Sequence, residues 1–238
     1  MPSFRLILAI VLIFHLPISI AGQYDWIIQK LPTDFSEINR SSYAIGSIEN
    51  KKYLAILLDL GTEARFKPAL VIARIKKDNT YDPFELVELT SVQGLRLQVK
   101  NESIYVQSET ANNGTYFRIY QFKRQNDQFR LVGIENQSMV LSERGEDIWR
   151  GESINLITSE AIYWAQAFNL EKPSEYVQWE KALVRHRQGL PSTNAQTRKV
   201  KLKINSRFYL KDFDLEGFRQ DFLCHSFDDK LRFHKHCK

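Results

Sequence analysis

Hydrophobic positions in this chain come in short runs, many of them alternating, separated by clusters of Asn, Asp, Gly and Lys. Alternation puts every second side chain on one face of an extended backbone, so the pattern reads as a series of β-strands joined by turns. YAIGSIE (43–49) and YLAILLDL (53–60) flank the turn residues Glu49, Asn50 and Lys51. The second run is apolar at both parities, which predicts a central strand covered on both faces. ALVIARI (69–75) leads into Lys76-Lys77-Asp78-Asn79, and a further short strand is expected within Phe84 to Leu89. In LRLQV (95–99), Leu95, Leu97 and Val99 share one face.

The segment IYVQSETANNGTYFRIYQFKRQNDQFRLVGIE holds three extended runs, connected through Asn112-Asn113-Gly114 and Arg124-Gln125-Asn126-Asp127. Both connections have hairpin composition. Within TYFRIYQFK, Phe117 and Ile119 face one way and Tyr116, Tyr120 and Phe122 the other, so both faces are expected to be partly covered. SERGEDIWRGE (142–152) mixes both signs of charge and reads as a solvated loop, while GESINLITSEAIYW adds two short runs around Thr158-Ser159-Glu160. Two helices are expected. Tyr24 to Leu31 forms a short one that stops before Pro32, and Pro173 to Arg187 forms the stronger one, with Tyr176, Trp179 (or Glu180) and Leu183 at helical spacing. GLPSTNAQT (189–197) is a loop, VKLKI (200–204) resumes the alternation, and Phe208-Tyr209-Leu210 extends it. The fold class is mainly β, an antiparallel meander or sandwich-like sheet with one or two short helices. The 12% aromatic content agrees, because aromatic rings suit pleated, half-buried surfaces.

The opening MPSFRLILAIVLIFHLPISIAGQ has one positive charge at Arg5, an apolar run from Leu6 to Phe14, and the small-residue pattern Ser19-Ile20-Ala21. That order predicts a secretory signal peptide cleaved after Ala21. His15 and Pro17 interrupt the run, which falls short of the roughly 20 apolar residues of a membrane span. The expected organisation is a signal at 1–21, a β-rich body at 22–188 ending in a helix, and a loop, strand and basic tail at 189–238 packed on the body as one domain. The expected address is periplasmic or secreted.

Export changes the reading of the C-terminal CHSFDDKLRFHKHC. Cys224 and Cys237 are the only two cysteines of the chain, and in an oxidising compartment a disulfide is their default state. Zinc or free thiols are the alternatives, but the spacing of the cysteines with His225, His234 and His236 matches no familiar zinc pattern. Residues 185–238 hold 13 Lys and Arg against 6 Asp and Glu, a balance of +7, whereas residues 22–184 carry −3. Such a tail either meets an anionic surface, lipid head groups or an acidic protein, or packs on its own acidic body. Arg232, His234, Lys235 and His236 are the candidate partner-binding residues. Nucleic acid is not an expected partner of an exported chain.

Between Tyr43 and Trp164 the chain carries Tyr120-Gln121-Phe122, then Phe129-Arg130-Leu131-Val132-Gly133, then Ser153-Ile154-Asn155-Leu156-Ile157-Thr158. This text resembles exported bacterial β-rich proteins of uncharacterised function, with degenerate FG-GAP or VCBS-like strands followed by a Y-x-F, F-x-L-I/V-G and S-I-N-x-L-T pattern. The resemblance implies a β fold and an exported address, and transfers no catalytic residue. True repeats of that class carry an aspartate-rich calcium loop, yet Gly46 to Lys52 offers one carboxylate and two lysines, so no calcium is expected.

Glu143, Glu146, Asp147 and Glu152 cluster around Trp149 and invite comparison with the carboxylate pairs of glycosidases, but Arg144 and Arg150 lie among them. Ser153 lacks the second glycine of a nucleophile elbow. No catalytic residue, metal or cofactor is assigned. Asn39, Asn101, Asn113 and Asn136 begin Asn-x-Ser/Thr triplets, which would be glycan acceptors in a eukaryotic secreted protein; the bacterial resemblance implies instead that they are polar turn residues, and that is the expectation. The expected function is an exported, non-enzymatic binding protein of the inhibitor or immunity kind. An envelope hydrolase with a site assembled from distant residues is the alternative.

Overall fold

The computed structural model of the chain describes residues 43–59, 68–82, 85–89, 94–111, 115–141, 146–187, 194–204, 207–210, 225–228 and 230–235. The chain divides into two units, Met1–Thr33 and Asp34–Lys238, and every described residue belongs to the second. The expected signal segment, the expected helix at 24–31 and both cysteines lie outside the described residues.

The described chain is mainly β and antiparallel, as its alternation predicts. β1 (Tyr43–Ile48), β2 (Lys51–Asp59), β3 (Pro68–Ile75) and β4 (Glu85–Glu88) form a four-stranded meander. A second meander follows through β5 (Leu95–Lys100), β6 (Ser103–Ala111), β7 (Thr115–Gln125), β8 (Gln128–Leu141), β9 (Asp147–Asn155) and β10 (Glu160–Phe168). After the helix α1 (Pro173–Arg187), β11 (Gln196–Lys201) joins β10 and completes a seven-stranded sheet. Near the C-terminus, β12 (His225–Phe227) and β13 (Phe233–Lys235) form a hairpin of their own.

Turn chemistry explains the meander. Glu49-Asn50, Asn101-Glu102 and Asn126-Asp127 have positive φ at both central positions, between 49° and 60°. Two such residues make the tight turn whose twist matches that of paired strands, and Asn and Asp tolerate it better than other side-chain-bearing residues. A bulge between Gln121 and Phe122 shifts the β7–β8 register and adds local twist.

One face of the seven-stranded sheet packs on the four-stranded sheet. Ile104, Val106, Tyr120, Phe122, Ile134 and Ile154 from the larger sheet share a core with Tyr53, Ala55, Leu70 and Ile72 from the smaller. At the junction, β1 runs so close to β5 that a Cβ on Gly46 would meet Val99 Cβ at 2.8 Å, which only glycine permits. The opposite face, at β9 and β10, carries Trp149, Trp164 and Phe168 beneath α1, where Ala182 and Trp179 pack on them. Trp179 therefore belongs to the buried stripe and Glu180 to the exposed side.

Three expectations are corrected. Residues 147–152, read as loop, are the first part of β9, with Ile148 and Trp149 buried on opposite faces. Their charge misled because Arg150 and Glu152 share the parity of Ile148 and point to the inner face, where a cavity receives them. The last strand of the larger sheet is Gln196–Lys201: it starts inside the expected loop, at Gln196 and Thr197, and includes only Val200 and Lys201 of the strand expected at 200–204, whose remaining residues form none. Phe208–Leu210 forms no strand; Tyr209 makes an isolated bridge to Arg130, and Phe208 accepts a backbone hydrogen bond from Leu131.

Candidate functional site

The β12–β13 hairpin is held by rings and by one acid. Phe227 and Phe233 are cross-strand partners with ring centroids 5.2 Å apart, and His225 stacks on Phe233 at 5.5 Å. Both His225 and Phe233 rest against Tyr163 of β10, at 5.8 and 5.4 Å. Arg150 Nη1 donates to the Phe227 carbonyl at 3.1 Å, tying the hairpin to β9. In the turn, Asp228 accepts from the backbone N–H of Lys230 and of Arg232, both at 2.9 Å, and from Arg232 Nε at 2.8 Å. His234 Nε2 lies 2.9 Å from Asp228 Oδ2. The Arg232 N–H, followed by the His234 and Arg232 side chains, holds the Asp228 carboxyl well below the usual carboxylate range.

The structure therefore brings Arg232 and His234 together on Asp228, so Arg232 is in part a turn-forming residue. Lys235 is exposed at the end of β13, as is Lys230 in the turn. His236 lies outside the described residues.

Between this hairpin and the inner face of β7–β10 is a cavity of about 220 Å³. Strand register explains its shape. Arg118, Asn136, Glu152 and Tyr163 form one cross-strand row, and Tyr116, Ser138 and Arg150 the next row on the same face. Between these rows runs the backbone of Phe117, Gln137, Gly151 and Trp164, where the Phe117, Gln137 and Trp164 side chains point the other way. That backbone is the cavity floor, the two rows are its walls, and Ser226 and Phe227 close it. Gly151 is needed here because the Trp164 ring lies over it on the far side, where a Cβ would come within 2.6 Å of Trp164 Cε2.

Polar groups in the cavity are unequally satisfied. Asn136 Nδ2 donates to Glu152 Oε1 at 2.6 Å. Burial pushes the Glu152 carboxyl up to about 7, against the opposing pull of the Asn136 hydrogen bond and the Arg118 charge. Arg118 is exposed at the mouth, with no hydrogen-bond or ion-pair partner among the described residues. The Tyr163 hydroxyl is buried with no hydrogen-bond partner among them, and its ionisation is pushed upward by burial and then by Glu152.

Of the four carboxylates singled out in the sequence, Glu152 lines this cavity. Asp147 has the opposite parity, Glu146 precedes the strand, and Glu143 lies outside the described residues. Ser153 donates to Glu135 at 2.6 Å on the outer face, which is a structural role. Asn136, read as a turn residue, is in the middle of β8 and serves Glu152, while Asn101 does occupy a turn. Arg118 and Tyr163 were not singled out, although a signal existed: Arg118 has the parity of Tyr120 and Phe122, which places a charge on the buried face.

A second cavity, of about 310 Å³, opens beside Arg124. There Arg124 donates to the Tyr53 hydroxyl at 2.6 Å and to Asp127 at 2.5 Å, while Arg74 and Lys76 pair with Asp82. Arg124, Arg74, Asp82 and Asp127 are paired there, Glu85 accepts from the Phe129 backbone N–H, and the Arg124–Tyr53 and Phe129–Glu85 contacts join the two sheets. Among the described residues no group of three or more His, Cys, Asp or Glu is placed to hold a metal, and no helix is long and apolar enough to cross a membrane. No family model matches this chain, and no curated protein or solved structure matches it significantly.

Proposed function

We propose that the protein is an exported, non-enzymatic binding protein of the inhibitor or immunity kind, which engages an acidic protein partner through the β12–β13 hairpin and the cavity beneath it. The observation that supports this reading is the hairpin itself, preformed by Asp228 and seated on Tyr163, with Lys230 and Lys235 exposed on it and with Ser226 and Phe227 lining the cavity. A preformed contact surface loses less freedom when a partner binds. A disulfide fits the same reading: Cys224 precedes β12 by one residue and Cys237 follows β13 by two, so the bond would tie together the ends of a paired ladder. Closing the 13-residue span would contribute about 3 kcal/mol in the chain-entropy account.

One observation favours the hydrolase alternative. A carboxyl near 7, as at Glu152, is suited to general acid–base work. Against it, the other carboxyl pushed up to about 7, Glu135, has the opposite parity and lies across the sheet, so the two cannot flank one bond.

Reversing Lys230 and Lys235 to glutamate tests the proposal without disturbing the Arg232–Asp228 contacts. Capture of an acidic partner from envelope extracts at low salt should fall well below that of the wild type, because peripheral charges act on association rate. Equal recovery of every partner would remove the hairpin from recognition. Turnover of an envelope substrate that is lost in Glu152→Gln would transfer the assignment to the hydrolase.

A further inference from the structure

The cavity is lined by two guanidinium groups, Arg118 and Arg150, and by the Tyr163 hydroxyl. Arg118 stands exposed at one end of the row, within electrostatic reach of Glu152 but with no hydrogen bond or ion pair among the described residues, and the Tyr163 hydroxyl is buried at the other end with no hydrogen-bond partner among them. A buried donor left unsatisfied is costly, and an arginine fork matches a planar two-oxygen acceptor. Arg150 adds a second positive charge on the next row, although it is engaged with the Phe227 carbonyl. Against these stands one acid, Glu152, already hydrogen-bonded by Asn136. A cationic ligand would therefore face two guanidinium groups, whereas an anionic one would meet them. The 220 Å³ volume exceeds the roughly 30 Å³ share of a single water and is small for a drug-sized ligand.

Resting on the binding reading above, we infer that this cavity is a recessed seat for one carboxylate, supplied by an acidic side chain of the partner, with Arg118 as its charge partner and the Tyr163 hydroxyl as its buried donor. The hairpin then has two tasks: its lysines draw in an acidic surface, and its Phe227 wall shapes the seat into which one side chain of that surface fits.

The test is an amide chemical-shift titration at about pH 6, on the acid side of the Glu152 carboxyl, which burial pushes up to about 7. Its probes are the capped peptide acetyl-Gly-Glu-Gly-amide, the same peptide with Gln, and succinate. The Glu peptide should move the Gly151, Glu152 and Tyr163 signals, and the Gln peptide should bind at least about tenfold more weakly. Arg118→Gln should cost about tenfold in affinity with Arg118→Lys recovering part of it, and Tyr163→Phe about fivefold. Unchanged amide dispersion in these variants would show that they remain folded. Equal response to the Glu and Gln peptides, or an unaffected Arg118→Gln, would overturn the seat. Succinate binding more tightly than the Glu peptide would keep the carboxylate seat and overturn a partner side chain as its source. No response to any of the three would overturn the seat while leaving the Lys230 and Lys235 reversal as an independent test of partner capture.

Discussion

Glu135 and Glu152 sit on neighbouring strands one residue out of register, and burial pushes both carboxyls up to about 7. They differ in what surrounds them. Glu135 faces outward from the two-sheet core and accepts from Ser153 directly opposite, so its interaction closes within the sheet. Glu152 faces inward, accepts from Asn136, and opens on a cavity with the unpaired Arg118 at its mouth. Equal desolvation therefore does not mark equal function. The inner residue lies among groups still able to receive a ligand.

The largest way to break this contrast is Trp164→Ala. The ring is 1% exposed, backs Gly151 and supports the cavity floor from the outer side, so its loss should cost about 3–5 kcal/mol in denaturant unfolding. A loss below about 1 kcal/mol would mean that the floor is not held from that side.

Titration sharpens the contrast next. Both carboxyls have folded values near 7 above an ordinary 4.5, so the folded chain retains their protons where the unfolded chain releases them. The stability they contribute is present below about 4.5 and is lost as pH rises through about 7. Each is worth on the order of 3 kcal/mol at most. Glu135→Gln and Glu152→Gln should each raise stability at alkaline pH and do little in acid, as urea midpoints across pH would report. The gains should not add, because the Glu152 charge is one of the causes that raise Glu135. Strict additivity would contradict the coupling across the sheet.

Much of this arrangement is legible in the residue pattern alone. The meander, the three Asn-containing tight turns and the helix from Pro173 follow from alternation and turn chemistry, which are local. The site was harder to see because it depends on register. Arg118, Asn136, Glu152 and Tyr163 lie on four different strands, and only pairing makes them a row. Residues 147–152 show the cost of reading polarity alone: a strand whose inward residues face a polar cavity has the composition of a loop. Net charge marks the tail only as a basic segment, yet Asp228 turns it into a hairpin by accepting from two backbone N–H groups, a side-chain effect invisible in that balance.

Smaller effects separate the hairpin from the body. Phe233 is partly buried against Tyr163, so Phe233→Ala should lower stability by about 1–2 kcal/mol and speed amide exchange in β12 and β13 before the rest of the sheet. Uniformly faster exchange would show that the hairpin and body open together. Arg118→Gln should change folding stability by less than about 0.5 kcal/mol, since the side chain is exposed and unpaired among the described residues. A larger loss would make Arg118 a structural residue and weaken its place in the seat.

The most direct test compares the two faces by photo-crosslinking. Tyr116 at the cavity is 37% exposed and Ile162 on the outer face of β10 is 41% exposed, so a benzophenone side chain at either position is equally accessible. The account predicts that the position 116 variant traps a partner in envelope extracts, that excess acetyl-Gly-Glu-Gly-amide reduces the adduct, and that the position 162 variant traps none. Adduct at position 162 and none at position 116 would contradict the assignment of the inner, hairpin-covered face as the binding surface.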